Sequence, residues 1–259
     1  MIESSKQTLG YVLIVLITLL VIYWFFSSNP IPQDLNYHAF SDSRELFGVS
    51  NFWNVVSSVL FFIVGVVGLY KILIVRSLCL IDDIQFMYVV LFGACILIAF
   101  GSAYYHLLTD NLSLLWDRLP MSVAFMTLFM IIISEFVSLR AGKLLFVPLI
   151  CAGITSVVYW YIGETQGQGD LRLYALVQFY PLLIIPVVLV FFKSRYTQVG
   201  YYWALLSVYA MSKVFEYLDR EIFEYTNMIS GHTIKHVFAA MSVGILLVTY
   251  QKRSKLTLF

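Results

Sequence analysis

Long apolar runs separated by short polar stretches dominate the hydrophobic pattern of this chain. Eight runs stand out, and each is close to the ~20 residues that cross a bilayer as a helix. We predict spans at residues 9–26, 53–75, 85–107, 119–139, 143–162, 173–192, 200–219 and 232–250. Helices are the expected form because lipid cannot satisfy free backbone groups. The predicted fold class is therefore all-α, a polytopic transmembrane helix bundle.

Composition agrees with this pattern. Hydrophobic residues make up 61% of the chain and charged residues only 12%, whereas soluble domains average about 25% charged residues. The net charge of +1 and the lack of a basic run argue against nucleic acid as a partner. Cys79, Cys95 and Cys151 lie in or beside apolar runs, which argues against a disulfide framework and against a cysteine metal site.

The distribution of positive charge predicts the orientation. With the N-terminus in the cytoplasm, ten Lys and Arg residues lie on the cytoplasmic side and four on the outer side. We expect both termini in the cytoplasm, and the short loops and lack of a retention signal favour a bacterial inner membrane. The first span is interpreted as an uncleaved anchor because "FFSSNPIPQ" contains no A-x-A site; a cleaved signal peptide is the alternative.

Three of the four histidines fall at one predicted depth, near the outer membrane boundary. His106 closes the third span, and His232 and His236 open the eighth in "GHTIKH". The H-x-x-x-H spacing puts two imidazoles on one helix face, about 6 Å apart at Cβ. Imidazole suits zinc, copper, iron or nickel, and three histidines with an open position are typical of catalytic zinc. The alternative is that these histidines only make interfacial hydrogen bonds.

Two further polar residues accompany the histidines. Ser102 lies four residues before His106, on the same helix face, and Asp117 follows eleven residues after it, at the start of span four. A carboxylate beside a metal-bound water can take its proton, and a hydroxyl can donate to an oxyanion. The alternatives are helix packing for Ser102, and helix capping or a pair with Arg118 for Asp117.

Four other charged residues lie in or near the last two spans. Lys235, at i+3 from His232, is expected to turn away from a metal or to pair with an acid. Lys213 and Glu216 are spaced for an ion pair on one helix, and Arg220 is spaced to join them.

Together these elements resemble the alkaline ceramidases and their wider superfamily of seven-helix membrane hydrolases. The shared elements, in order, are "GSAYYH", "WDRLPM" and "GHTIKH", and "NFWNVVSSVLFF" resembles the start of the family's first conserved helix. The resemblance covers roughly residues 42–250. It implies a seven-helix core, with residues 9–26 as one extra N-terminal helix.

The resemblance also implies a chemistry. His106, His232 and His236 would bind zinc, Asp117 would act on the zinc-bound water, and Ser102 would help to stabilise the transition state. The implied reaction is cleavage of the amide of a ceramide-like membrane lipid into a fatty acid and a long-chain base. The implied organisation is an N-terminal anchor or signal peptide at 1–30, an outer loop at 31–52, a hydrolase core at 53–251 and a cytoplasmic tail at 252–259.

One departure from the family concerns calcium. Eukaryotic ceramidases have a Glu directly before F-W-N, whereas this chain has Asn51, with only Asp42 and Glu45 nearby upstream. This departure counts against a calcium site.

Three other function classes stay open at the level of sequence. The adiponectin and progestin receptor group shares the metal-site layout, so a receptor or sensor is one alternative. An ester-cleaving lipase of the same superfamily is another, since the zinc chemistry serves esters equally well. A transporter is disfavoured because its polar groups would thread through several depths.

Overall fold

The computed structural model describes residues 2–256 and confirms the all-α bundle: every regular element among them is helical. The α-helices are α1 Ile2–Ser27, α2 Phe52–Ser57, α3 Val59–Tyr70, α4 Gln85–Leu107, α5 Asn111–Phe136, α6 Leu139–Thr165, α7 Arg172–Phe191, α8 Gly200–Tyr217, α9 Asp219–Thr226 and α10 Gly231–Lys252. A π-helical turn, Lys71–Val75, extends α3. Met1 and residues 257–259, the end of the predicted tail, lie outside the described residues.

Seven described helical segments are long and apolar enough to cross a membrane, as expected of an integral membrane protein. The predicted span at 200–219 forms α8, but this helix is not among the seven. Its charged residues Lys213 and Glu216 lower its hydropathy, and they pair with each other inside the protein. The short helix α9, which directly follows, was not predicted by the apolar pattern.

The fourth predicted span begins earlier than expected. Its helix, α5, starts at Asn111, eight residues before the predicted boundary at 119, because Asp110 and Ser113 form a capping box there. Asp117 therefore lies in the second turn of the helix, and the capping role considered for it belongs to Asp110. The capping residues therefore set the start of the helix, whereas the apolar run from which the span was predicted begins later.

Helices α4 and α5 are the most buried of the long helices in the described part of the chain. Helix α4 lies between α3 and α5, α10 packs along α8, and α6 covers the far side of α5. Helix α1 contacts α7, and only 6% of its apolar window is buried. The extra N-terminal helix is therefore peripheral, while α4 and α10 bring their ends together to form the site.

A buried ion pair ties the other end of the bundle. Arg253, just after α10, lies 2.5 Å from Glu135 of α5, and neither side chain is more than 1% exposed. Tyr202 of α8 also donates to Glu135, at 2.8 Å. Arg253 further donates to the carbonyl oxygen of Cys79. A helix of 22 residues such as α10 is about 33 Å long, so this network lies far from the histidines at the start of that helix.

Candidate metal centre

Three histidines from two distant parts of the chain converge at one end of the bundle. His106 lies in the last turn of α4, and His232 and His236 lie in the first two turns of α10. Each offers one ligand atom, and these atoms lie within 4.8 Å of one another. All three side chains are buried, at 1%, 6% and 4% exposure. The predicted grouping of these residues is confirmed, and it could hold a metal ion.

The ring geometry fits a single metal ion. The Nε2 atoms of His106 and His236 lie 3.3 Å apart. Two nitrogens bound to one tetrahedral zinc at about 2.0–2.1 Å are separated by about 3.3 Å. Nε2 of His232 is buried and has no hydrogen-bond partner among the described residues. Buried polar atoms are seldom left unsatisfied, and a cation shared by the three rings would satisfy this nitrogen.

The tautomer of His236 follows from its neighbour on α2. The hydroxyl of Ser57 has one proton and donates it to the carbonyl oxygen of Asn54, at 3.0 Å. The oxygen of the same hydroxyl lies 2.8 Å from Nδ1 of His236, so it accepts a hydrogen bond from that nitrogen. Nδ1 of His236 then carries the proton, and its Nε2 presents a lone pair toward His106. Hydrogen bonds of this kind orient metal-binding histidines.

Two more residues fix the backbone of the histidines. The side-chain amide of Asn51 donates to the carbonyl oxygen of His106, at 2.8 Å. The carboxylate of Asp219, at the start of α9, accepts from the backbone N–H of His232, at 2.6 Å. Sequence reasoning did not assign these supporting roles. The only signal was the resemblance of the segment that begins at Asn51, and nothing local distinguished Asp219 from other surface acids.

Two glycines allow the helices of the site to approach closely. A Cβ at Gly101 of α4 would collide with the backbone carbonyl oxygen of Trp116 and would lie 3.1 Å from the Cα of Asp117. A Cβ at Gly231 would collide with the carbonyl oxygen of Phe215. Glycine is therefore required where α4 meets α5 and where α10 meets α8, and these contacts set the position of the histidines.

Ser102 and Asp117 line one cavity together with His236. Ser102 is buried on α4, and its hydroxyl lies within hydrogen-bond distance of the Ser58 hydroxyl, at 3.0 Å. The carboxylate of Asp117 makes no hydrogen bond or ion pair to any residue in the described part of the chain. The predicted pair therefore faces the same cavity as the ring of His236.

That cavity lies between the helices and is only partly enclosed by protein. Its deeper walls are apolar and include Leu91, Leu128, Ile185, Leu205 and Leu246. Leu91 lies eleven residues before Ser102 on α4, so the cavity extends about 16 Å along that helix. The polar end therefore continues into a long apolar chamber.

The charged residues near the site form a connected group. Lys235 pairs with Glu216 at 2.6 Å, which confirms the expectation that it would pair with an acid. Lys213 also pairs with Glu216, at 2.7 Å, as its spacing predicted. Arg220 does not join them: it pairs with Glu224, because the chain turns out of α8 before it reaches this residue.

The loop at 31–52 covers the centre from outside the bundle. The ring of Phe40 lies 4.7 Å from the rings of both His106 and His232. The fourth histidine, His38, is held by Tyr105 and Asn111 and lies outside the trio. Of the acids weighed for calcium, Asp42 is engaged by Arg44 at 2.7 Å.

Comparisons with protein-family models, with curated proteins and with solved structures found no match for this chain. Among the described residues, the three histidines of α4 and α10 form the group of potential ligands that lie close enough together to hold a metal ion. What the site does must therefore be argued from its own geometry.

Proposed function

We propose that the protein is a zinc-dependent membrane hydrolase that cleaves the amide bond of ceramide-like lipids into a fatty acid and a long-chain base. The observation that carries this proposal is the buried histidine trio at the polar end of a long apolar cavity. The distribution of positive charge supports a site on the outer side with both termini in the cytoplasm, and the short loops support a bacterial inner membrane.

His106, His232 and His236 are the residues that hold the ion. Three neutral imidazoles and the 3.3 Å spacing of two ring nitrogens support zinc. When bound, zinc supplies a water of lowered pKa, near ~7, and polarises a carbonyl oxygen. Copper, iron and nickel also accept imidazole, so elemental analysis is the direct test of the metal.

The remaining chemistry falls to two side chains. Asp117, whose carboxylate has no hydrogen-bond partner among the described residues, takes a proton from the attacking water and returns it to the leaving amine. Ser102 donates a hydrogen bond to the oxygen that becomes negative as the carbonyl is attacked. A carbon–oxygen bond forms, the carbon–nitrogen bond breaks, and the products are a carboxylic acid and an amine.

The apolar chamber supports a lipid acyl chain as the group beside the scissile bond. Each buried CH₂ contributes about 0.8 kcal/mol to binding, and the chamber walls beyond Ser242 and Tyr209 are apolar. The chamber leads directly to Ser102 and Asp117, so a chain bound in it brings its carbonyl to these residues.

The test combines metal content with turnover in the purified protein. We expect zinc by elemental analysis and release of fatty acid from short- and long-chain ceramides, with loss of turnover on chelation and recovery on adding zinc. Asp117→Asn should retain zinc and lower kcat by about 10²–10⁴-fold, whereas His232→Ala should lose both. Asp83→Asn, an exposed acid before α4, is the control and should change neither.

Two results would redirect the proposal. Full activity in Asp117→Asn contradicts the proton-transfer role. If zinc is bound but neither a ceramide nor the matched ester is cleaved, the result contradicts a hydrolase and favours the receptor or sensor. If only the ester is cleaved, the result favours the lipase.

A further inference from the structure

A second pocket adjoins the catalytic end of the apolar cavity. It is partly open to its surroundings and shares Asp117, Met121, Lys213 and Lys235 with the first. Its other walls come mainly from α7, from the loop before α7 and from the loop at 31–52, called the covering loop below. The two pockets therefore meet at Asp117, one apolar and the other rich in charge.

Positive charge is in excess in this second pocket. Its cations are Arg118, Lys213 and Lys235, and its acids are Asp117 and Glu216. Glu216 is shared by both lysines, with contacts of 2.7 and 2.6 Å. The pocket therefore holds three cations against two carboxylates, and Arg118 makes no ion pair with any described residue.

Arg118 is the unusual member of this group. Its side chain is buried, at 6% exposure, and makes no hydrogen bond to any described residue. Its guanidinium stacks over the rings of Trp160 at 4.3 Å, Tyr174 at 5.0 Å and Tyr37 at 5.5 Å. Stacking offsets only part of the cost of burying a cation. All its N–H donors are therefore available to a ligand, and the rings hold the planar group in place.

We propose that this pocket binds the anionic headgroup of the lipid substrate, a phosphate or a carboxylate on the amine side of the scissile amide. The guanidinium of Arg118 is suited to two oxygens of such a group, and Lys213 and Lys235 add positive charge beside it. The acyl chain then occupies the apolar cavity and the amide lies at Asp117, where the pockets meet. This inference rests on the proposed function and narrows its substrate class to N-acyl lipids that carry a negative charge.

The experiment compares two lipids with the same chains, ceramide and ceramide 1-phosphate, with an N-acyl amino acid as the carboxylate form. We expect the wild-type protein to show a higher kcat/KM for the anionic lipids than for neutral ceramide. Arg118→Gln should lower that preference by about 10- to 100-fold, since hydrogen bonds to charged groups contribute about 1.5–3 kcal/mol. Arg118→Lys, which keeps the charge, should recover part of it. Arg220→Gln, which removes an exposed arginine paired outside both pockets, is the matched control and should leave the preference unchanged.

A second measurement separates this inference from the proposed function. Thermal unfolding is followed with ceramide, with ceramide 1-phosphate and with inorganic phosphate alone, since a ligand of the folded state raises the midpoint. If no lipid is cleaved but ceramide 1-phosphate stabilises wild type more than Arg118→Gln, the hydrolase fails and the anionic subsite stands.

Three results would overturn the subsite. One is cleavage of neutral ceramide at least as efficiently as of the anionic lipids. Another is a loss in Arg118→Gln that is equal for neutral and anionic lipids, which would make Arg118 a packing residue. The third is equal stabilisation by inorganic phosphate and by the phosphorylated lipid, which would assign the pocket to a free anion.

Discussion

Ser57 Oγ lies 2.8 Å from Nδ1 of His236 while it donates to the carbonyl oxygen of Asn54. This relationship fixes which nitrogen of the histidine carries its proton. It also joins α2 to α10, so the first helix of the core takes part in the metal centre without supplying a ligand.

Removing this hydroxyl should weaken metal binding. In Ser57→Ala, His236 loses the acceptor that orients its ring, and we expect metal affinity to fall by about 10- to 100-fold. Competition with a chelator of known affinity measures the change. Ser156→Ala, which removes a buried serine of α6 bonded only to its own helix, is the control and should retain wild-type affinity. Equal affinities in the two variants would contradict the orienting role.

A side chain at Gly101 should force α4 and α5 apart. Gly101→Ala places a Cβ against the carbonyl oxygen of Trp116, and we expect a loss of about 1–3 kcal/mol in the free energy of unfolding together with weaker metal binding. The measurement is unfolding in detergent, combined with metal content.

The same helix offers the control for that substitution. A Cβ at Gly93 meets nothing within 4 Å, so Gly93→Ala should be neutral or stabilising by up to about 1 kcal/mol. If Gly101→Ala behaves in the same way, the close approach does not limit the packing of α4 against α5.

The buried ion pair at the other end of the bundle should dominate stability there. Glu135→Gln leaves Arg253 buried without its carboxylate, and we expect a loss of about 3–5 kcal/mol in the free energy of unfolding. Asp82→Asn, which breaks the exposed pair with Lys255, should cost less than about 1 kcal/mol. Similar losses in the two variants would show that burial does not strengthen the Glu135 contact.

The cap of α5 should make stability depend on pH in the acid range. The backbone N–H of Ser113 donates to Asp110 at 2.7 Å and lowers the pKa of that carboxyl below its usual value of 3.8. A lowered folded-state pKa gives stability that is present above pH 3.8 and is lost as pH falls through the folded-state value. Asp110→Ala should cost about 0.5–2 kcal/mol at neutral pH.

That difference should shrink when unfolding is measured at decreasing pH. A gap between wild type and Asp110→Ala that stays constant down to pH 3 would assign the effect of Asp110 to packing instead of to its charge.

The sequence by itself determined the helices and the candidate ligands. In lipid each helix must satisfy its own backbone groups, so apolar runs mark spans without reference to the rest of the fold. The spacing of His232 and His236 is likewise a property of one helix. His106 could be added to this pair of ligands because it ends a predicted span, and the end of a span lies at a defined depth in the membrane.

Only the tertiary structure decided which side chains meet. Asn51, Ser57 and Asp219 contact the histidines across long sequence separations, and no local pattern distinguishes them from other polar residues. Arg118 looked like a possible partner of Asp117, its neighbour in sequence, but it lies among rings from α6, α7 and the covering loop. Hydrogen bonds and stacking act over a few ångströms in space, so they depend on how the helices pack, whereas the spans depend only on each helix and the surrounding lipid.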